Sequence, residues 1–253
     1  MSLTDLGVMN VFAFFAIFAR VGTIMMTIPA FGDQSLNPQI RMGAAFAVSA
    51  AMFPFASRYY GMPPETVLGL VGVVVGEILV GLFIGVTARI LLSALNIAGQ
   101  MISMQTGLAM AQAMDPTQQT QGAMIGSFLT ILGVTMIFAT DLHHVMLAAM
   151  RDSYILFAPG TFLSFPDISE IALTAFAGAF RLGLQLAAPF FVFGLCFYLG
   201  IGLLSRLMPQ VQIFFIAMPA NILLGFLLLM LLLSLIMTAF LTAYEAFLVQ
   251  FLA

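Results

Sequence analysis

The chain has 253 residues, of which 62% are hydrophobic and only 7% are charged, and its formal net charge at pH 7 is −3. Soluble domains carry far more ionised side chains on their surfaces, so this composition indicates an integral membrane protein. The seven basic residues are all arginines, and they form no cluster that would favour nucleic acid as a partner. The single cysteine, Cys196, excludes a disulfide framework and a cysteine-based metal site.

Six apolar segments are predicted to be helices. A membrane-spanning helix needs about 20 apolar residues, and the first, second and fourth segments fit that length. The residues before the first segment lack the basic start of a secretory signal, so this segment is expected to remain as a helix. As one helix, the third segment would reach about 60 Å, twice the thickness of the hydrocarbon core. The segments cover approximately residues 8–30, 40–57, 67–106, 120–140, 171–204 and 211–250.

The third, fifth and sixth segments are too long for a single crossing, and two alternatives stay open. Either they break into helical hairpins, or they run beyond the bilayer within a protein assembly. Pro189 and Pro219 are candidate break or kink points. Residues 141–170 are expected to form the one long loop. If six helices cross the membrane, the arginines fall almost evenly on its two sides. Their distribution therefore does not indicate which side is cytoplasmic.

Charged residues inside apolar segments form the first group of candidate sites. A charge at membrane depth is costly, so each is expected to face protein or water. Glu77 and Arg89 lie about 18 Å apart along a helix and cannot pair with each other, so each is expected to have a partner on another helix or subunit. Arg20, Glu77, Arg181 and Arg206 are predicted to be buried charges that serve packing or subunit contacts. A proton or ion relay is the alternative.

A polar stripe is predicted on the third segment. Its five members recur at spacings of four, three, four and three residues, which places them within an arc of about 80° on one helix. The stripe serves either as polar contact between packed helices or as the wall of a water-filled conduit, and the sequence leaves both open. It consists of Arg89, Ser93, Asn96, Gln100 and Ser103.

Three pairs of glycines follow the G-x-x-x-G spacing, which allows helices to approach closely. They are Gly72–Gly76, Gly81–Gly85 and Gly122–Gly126. In a glycine-rich membrane protein, this spacing favours tight helix packing and indicates no particular activity.

A Gln-rich segment, GLAMAQAMDPTQQTQG, follows the polar stripe at residues 107–122. Asp115-Pro116 predicts a turn, because Pro116 disfavours helix at Asp115. Several methionines flank the segment, and their unbranched, polarizable side chains re-pack readily around irregular surfaces. The methionines therefore suit either a deformable seal or ordinary lipid-facing or core packing, and the sequence leaves both open.

No catalytic, cofactor or metal site is predicted. Asp141, His143 and His144 form the only histidine cluster, but adjacent histidines on a helix point about 100° apart, which is poor for binding one metal ion. The sequence has no phosphate loop, dinucleotide fingerprint or G-x-S-x-G motif. We therefore expect no cofactor, no metal and no enzymatic reaction. A membrane hydrolase using Ser127 or Ser205 with His143 is an alternative that no motif supports.

Four blocks of the sequence form a recognisable pattern. They are FARVGTIMMTIPAFGDQSLNPQIR, GEILVGLFIG, AGQMISMQTGLAMAQAMDP and SRLMPQVQIFFIAMPANILLG. In this order, they resemble the FliR family of flagellar export-gate proteins and their injectisome counterparts, and the resemblance covers nearly the whole chain. One departure is Gln212, where the family pattern has Asn after a Pro-Gln pair.

The resemblance implies an all-α, polytopic integral membrane protein whose six or so long segments form kinked helical hairpins in a helical export-gate shell. It implies a single membrane-embedded domain with a FliP-like part at residues 1–170 and a FliQ-like part at 171–253. The implied partners are FliP-like and FliQ-like gate proteins, an FlhB-like switch protein, the lipid membrane and unfolded export substrates.

The implied function is to conduct unfolded flagellar subunits across the bacterial inner membrane at the flagellar basal body. An injectisome gate is the alternative within the family, and a stand-alone transporter or channel, which would show inverted repeats, is the alternative outside it. The resemblance also assigns the segment 107–122 to the internal plug of the pore. Its plug residues are Gly107, Met110, Gln112, Met114, Asp115, Pro116, Gln118, Gln119, Gln121 and Gly122.

Overall fold

The computed structural model of the chain is built from α-helices. No β-strand is present in the ranges that it describes, which confirms the prediction of an all-α fold. These ranges are residues 3–29, 31–32, 37–109, 124–160, 165–208, 213–250 and 252.

Seven α-helices and a short 3-10 helix, Ser57–Tyr59, follow one another along the described chain. The α-helices are α1 (Leu3–Thr27), α2 (Pro38–Ala56), α3 (Val67–Gln105), α4 (Met124–Ala139), α5 (Leu142–Leu156), α6 (Phe165–Leu207) and α7 (Ile213–Val249).

The helices are long and apolar enough for several membrane crossings. Within the described residues, five helices meet the length and hydropathy of a span, and α4 with α5 gives a sixth if this bent pair counts as one. The chain bends by 77° between α4 and α5. These helices confirm the prediction of a polytopic membrane protein.

Three helices are far longer than the bilayer is thick. α3 has 39 residues, α6 has 43 and α7 has 37, so each extends for roughly 55 to 65 Å at the α-helical rise. Of the two alternatives for these segments, the unbroken helices favour the one in which they run beyond the bilayer. Pro189 and Pro219 lie inside α6 and α7, because long apolar helices tolerate a proline when neighbouring groups satisfy the freed backbone.

The helix boundaries have local causes. Asn37 caps α2, since its side-chain oxygen accepts a hydrogen bond from the backbone N–H of Gln39 at 2.9 Å. Pro38 occupies the first helical position, where no N–H partner is needed. Just beyond the end of α3, Gly107 has φ +75°, a left-handed conformation that favours glycine at the end of a helix.

The long loop predicted at residues 141–170 is wrong. Asp141 adopts φ 60° and breaks the helix, and Asp is among the few residues that tolerate this conformation. The chain then starts a new helix at once, so α5 fills the first half of the predicted loop and α6 begins at Phe165.

The chain divides into two compact units. α3, α4, α6 and α7 each contribute residues to both. The first unit consists of Met1–Leu91, Phe138–Phe176 and Glu245–Ala253, and the second of Leu92–Ile137 and Ala177–Tyr244.

In the first unit, α1 packs closely on α3 at two glycines. A Cβ atom on Gly81 would lie 2.6 Å from the backbone oxygen of Arg20, and one on Gly85 would collide with Thr27. The predicted close approach at Gly81–Gly85 is thus confirmed. Gly76 has open space where a Cβ would stand, so it makes no close helix contact within the described chain, and a contact there with another subunit stays a prediction.

In the second unit, the C-terminal end of α3 packs closely against glycines on three other helices. A Cβ atom on Gly133 of α4 would collide with Leu95. Likewise, a Cβ atom on Gly194 of α6 would collide with Gln105, and one on Gly225 of α7 would collide with Thr106. The tightest backbone contact joins Gly99 on α3 to Gly126 on α4. Side chains there would push the helices apart, so the glycines set how closely the bundle packs.

Gly99→Ala tests this backbone contact. The new methyl group would overlap the backbone of α4, which has no flexible end to move away, so we expect a loss of roughly 1 to 3 kcal/mol in stability. The measurement is the thermal midpoint of the purified chain in detergent. Gly178→Ala on α6 is the matched control, because a Cβ there meets nothing within 4 Å. Equal midpoints for the two variants would contradict the close packing.

Candidate functional site

A buried ion pair lies at the centre of the first unit. Arg20 on α1 and Glu77 on α3 are each only 1% exposed, and the Nε atom of Arg20 donates a hydrogen bond to Oε2 of Glu77 at 2.5 Å. The prediction that Glu77 has its partner on another helix is confirmed. Because both charges are removed from solvent, each is stable there only with the other in place.

The guanidinium also donates to backbone oxygens at the end of α5. The Nη1 atom of Arg20 donates to the backbone oxygen of Ser153 at 3.0 Å, and Nη2 donates to that of Phe157 at 2.9 Å. The guanidinium carbon lies 4.3 Å from the ring centre of Tyr154, a favourable cation–π distance. A planar fork of donors suits this geometry, so one side chain joins α1, α3 and α5.

Tyr60 closes the cluster from the segment after the short 3-10 helix. Burial raises the pKa of the Tyr60 hydroxyl far above its ordinary value, and the nearby carboxylate of Glu77 raises the pKa further. The hydroxyl therefore stays protonated throughout the physiological pH range. The hydroxyls of Tyr60 and Tyr154 lie next to this ion pair. Among the described residues, neither hydroxyl has a hydrogen-bond partner at standard distance and angle.

The cluster's geometry favours packing over ion transport. Its charged pair is one carboxylate and one guanidinium, the two are in direct contact, and arginine does not release its proton at physiological pH. A relay needs groups that exchange protons in sequence, and Tyr60 and Tyr154 adjoin a carboxylate that is already paired.

The predicted polar stripe on α3 is largely exposed. Arg89, Asn96 and Gln100 are exposed, Ser93 is half-buried and Ser103 is buried. The side-chain oxygen of Asn96 lies beside the Gly99–Gly126 contact, 3.3 Å from where a Cβ on Gly126 would stand. The structure thus places the stripe at the surface of this chain over most of its length.

Asn221 on α7 was not predicted. This residue is almost fully buried, and its Nδ2 atom donates to the backbone oxygen of Gln105 at 3.2 Å. Its Oδ1 atom has no hydrogen-bond partner in the part of the chain that the structure describes. A lone amide in the apolar run after Pro219 is the signal that points to it, because a polar group in such a run needs a partner.

An open groove of about 460 Å³ adjoins Asn221. It is lined by Met104, Gly107, Ala109, Tyr198 and Met218, among others. The groove therefore lies where the predicted plug segment leaves α3.

Two of the predicted buried charges are exposed in this chain. Arg181 and Arg206 lie at the surface of α6, so neither is buried within the chain itself. The long α6 leaves one face uncovered, and a charge inside an apolar run is exposed when its helical face has no neighbour. Their contacts with other subunits stay a prediction.

Most of the predicted plug lies outside the described residues. Gly107 alone is described, at the end of α3. The others are Met110, Gln112, Met114, Asp115, Pro116, Gln118, Gln119, Gln121 and Gly122.

Glu77→Gln tests the buried ion pair. It keeps the side-chain shape but leaves the guanidinium of Arg20 buried without a counter-charge, so we expect stability to fall by about 3 to 5 kcal/mol. The measurement is the thermal midpoint and yield of folded chain in detergent. Glu65→Gln, which removes an exposed carboxylate, is the control. A double variant, Arg20→Met with Glu77→Met, is expected to recover much of the loss, and a wild-type midpoint for Glu77→Gln would contradict the assignment.

Comparison with known proteins identifies the family. The family model described as "Bacterial export proteins, family 1" matches residues 11–247. The flagellar biosynthetic protein FliR of Caulobacter vibrioides is 41% identical over 213 residues, covering 84% of this chain and 85% of that protein. The proteins of the same name from Bacillus subtilis and Escherichia coli are each 27% identical, over 222 and 215 residues. These matches cover 86% and 81% of this chain, and 84% and 78% of the two relatives. The chain therefore belongs to the bacterial export proteins, family 1, the family of the FliR proteins.

Proposed function

We propose that this chain is a structural, pore-forming subunit of the flagellar type III export gate in the bacterial inner membrane. Its family and the names of its relatives support a role in the flagellar export apparatus. Its proposed task is to help conduct unfolded flagellar subunits, and its proposed partners are FliP-like and FliQ-like gate proteins with an FlhB-like switch protein.

The observation that carries the proposal is the length of uncovered apolar surface on α6. Leu173 and Leu207 are 69% and 70% exposed. They lie 34 residues apart (207 − 173), which is about 51 Å along the helix. The hydrocarbon core is only about 30 Å thick, and even a helix tilted by about 40° would extend well beyond it. Lipid alone cannot cover this surface, so apolar surfaces of other subunits are the natural cover.

The exposed stripe on α3 supports a wet interior. Polar and charged side chains are costly against lipid and face either protein or a water-filled cavity. Arg89, Asn96 and Gln100 are exposed on a helix whose other exposed side chains are mainly apolar. In a ring of subunits, the polar face of α3 would line a water-filled channel. The apolar faces of the other helices would contact neighbouring subunits.

The plug proposal rests on sequence. The segment 110–122 is rich in Gln and Thr, side chains that interact with water and with any polypeptide without strong preference. A gate for unfolded chains has no fixed sequence to recognise, so a non-specific, displaceable seal fits the task. The proposed division into a FliP-like part at 1–170 and a FliQ-like part at 171–253 would let one such chain complete a ring of both proteins.

Deleting residues 110–120 tests the pore and the plug together. We expect the assembled gate to leak ions and small solutes, because the pore would lose its filling while α3 and α4 remain. The measurement is the conductance of membranes that contain the gate. Glu65→Gln removes an exposed carboxylate, leaves the segment intact and is the control, which we expect to stay tight. A tight gate in the deletion variant, with the chain present in the complex, would refute the plug.

A further inference from the structure

A cluster of metal-ligating side chains lies at the break between α4 and α5, and it is the histidine cluster that regular helix geometry made a poor metal site. Asp141, His143 and His144 each offer one ligand atom, and these atoms all lie within 4.8 Å of one another. The two histidines are the only ones in the chain. Every imidazole of this protein is therefore in one place.

The spacing of two ligand atoms already fits a metal ion. The Nδ1 atom of His144 lies 3.6 Å from Oδ1 of Asp141. In a tetrahedral zinc site, bonds of about 2.0 to 2.2 Å place neighbouring ligand atoms roughly 3.3 to 3.6 Å apart. Asp141 and His144 are 78% and 68% exposed, so small rotations of their side chains adjust the rest of the site.

His143 supplies a second, independent observation. Its ring lies against those of His144 and Phe138, with centroid distances of 4.1 and 5.3 Å. The Nδ1 atom of His143 is shielded from solvent and has no hydrogen-bond partner among the residues that the structure describes. An imidazole with a shielded, unpartnered nitrogen is poorly stabilised by the protein alone, and a bound cation is a partner that the arrangement lacks.

The backbone explains why sequence spacing misses this site. Two adjacent histidines point about 100° apart on a regular helix, and that argument excluded a shared metal. Here Asp141 has φ 60° immediately before the first turn of α5, and this turn returns its carboxylate towards His144. The carboxylate of Asp141 is therefore close enough to act as a third ligand beside the two histidines.

We propose that Asp141, His143 and His144 form an open three-ligand site for a divalent late transition-metal ion, with Zn²⁺ as its representative. Two imidazoles and one carboxylate are a ligand set that zinc accepts, and imidazole favours late transition metals over Mg²⁺ or Ca²⁺. The fourth position is open to water, because two of the ligands face away from the chain. A bound ion would tie Asp141 to the first turn of α5 and hold the break between the helices.

Zinc binding to the full-length chain tests the proposal. The chain is purified in detergent with an affinity tag that contains no histidine, and binding is followed by isothermal titration with Zn²⁺. We expect saturable binding of one ion per chain and a higher thermal midpoint with zinc, since an ion that binds only the folded chain stabilises it. Ligand-field bands of the Co²⁺-loaded chain would report nitrogen and oxygen coordination.

Two variants assign the ligands. His144→Ala changes an exposed side chain and is expected to weaken binding by roughly 100-fold or more, while Asp141→Asn, which keeps a residue that tolerates the left-handed conformation, is expected to weaken it by at least about 10-fold. Glu65→Gln removes another exposed carboxylate and is expected to bind as the wild type does. Failure of the wild type to bind zinc, or wild-type affinity in His144→Ala, would overturn the proposal.

Discussion

The contact between Arg20 and Glu77 is the interaction on which the first unit depends. Two opposite charges lie in apolar surroundings, where an unpaired charge is strongly destabilising. The guanidinium uses Glu77, Ser153 and Phe157 as acceptors, so the pair forms only when α1, α3 and the end of α5 are all in place. In a chain whose helices could slide along one another at little energetic cost, this requirement fixes their register.

The second unit is held by shape rather than charge. Glycines on α4, α6 and α7 receive the C-terminal part of α3, and the Gly99–Gly126 contact brings two backbones together. Lipid is as apolar as leucine, so membrane helices gain little from hiding apolar side chains and associate through close packing and hydrogen bonds. Asn221, which bonds the backbone at Gln105, supplies one such bond. Close packing of α3 against its neighbours thus fixes the position of the exposed stripe and of Gly107, where the predicted plug segment begins.

The sequence predicted the helices well and the tertiary contacts poorly, for physical reasons. Apolar runs reveal helices, and the cost of a buried charge correctly required a partner for Glu77. The identity of that partner depends on a contact 57 residues away along the chain, which no local pattern encodes. Arg181 and Arg206 were expected to be buried because their runs are apolar, yet exposure depends on which helical face has a neighbour. Asp141 was recognised beside His143 and His144, but its left-handed backbone, after which helix α5 begins inside a predicted loop, has no signature in the local sequence.

The long helices of this chain carry more apolar surface than a bilayer can cover, so we propose that the chain is one subunit of a mixed assembly. Native mass spectrometry of the chain, tagged and purified in mild detergent from its own membranes, tests that claim most directly. We expect one copy of this chain together with several copies of two other small apolar membrane proteins. A chain found alone, or only with copies of itself, would contradict the account.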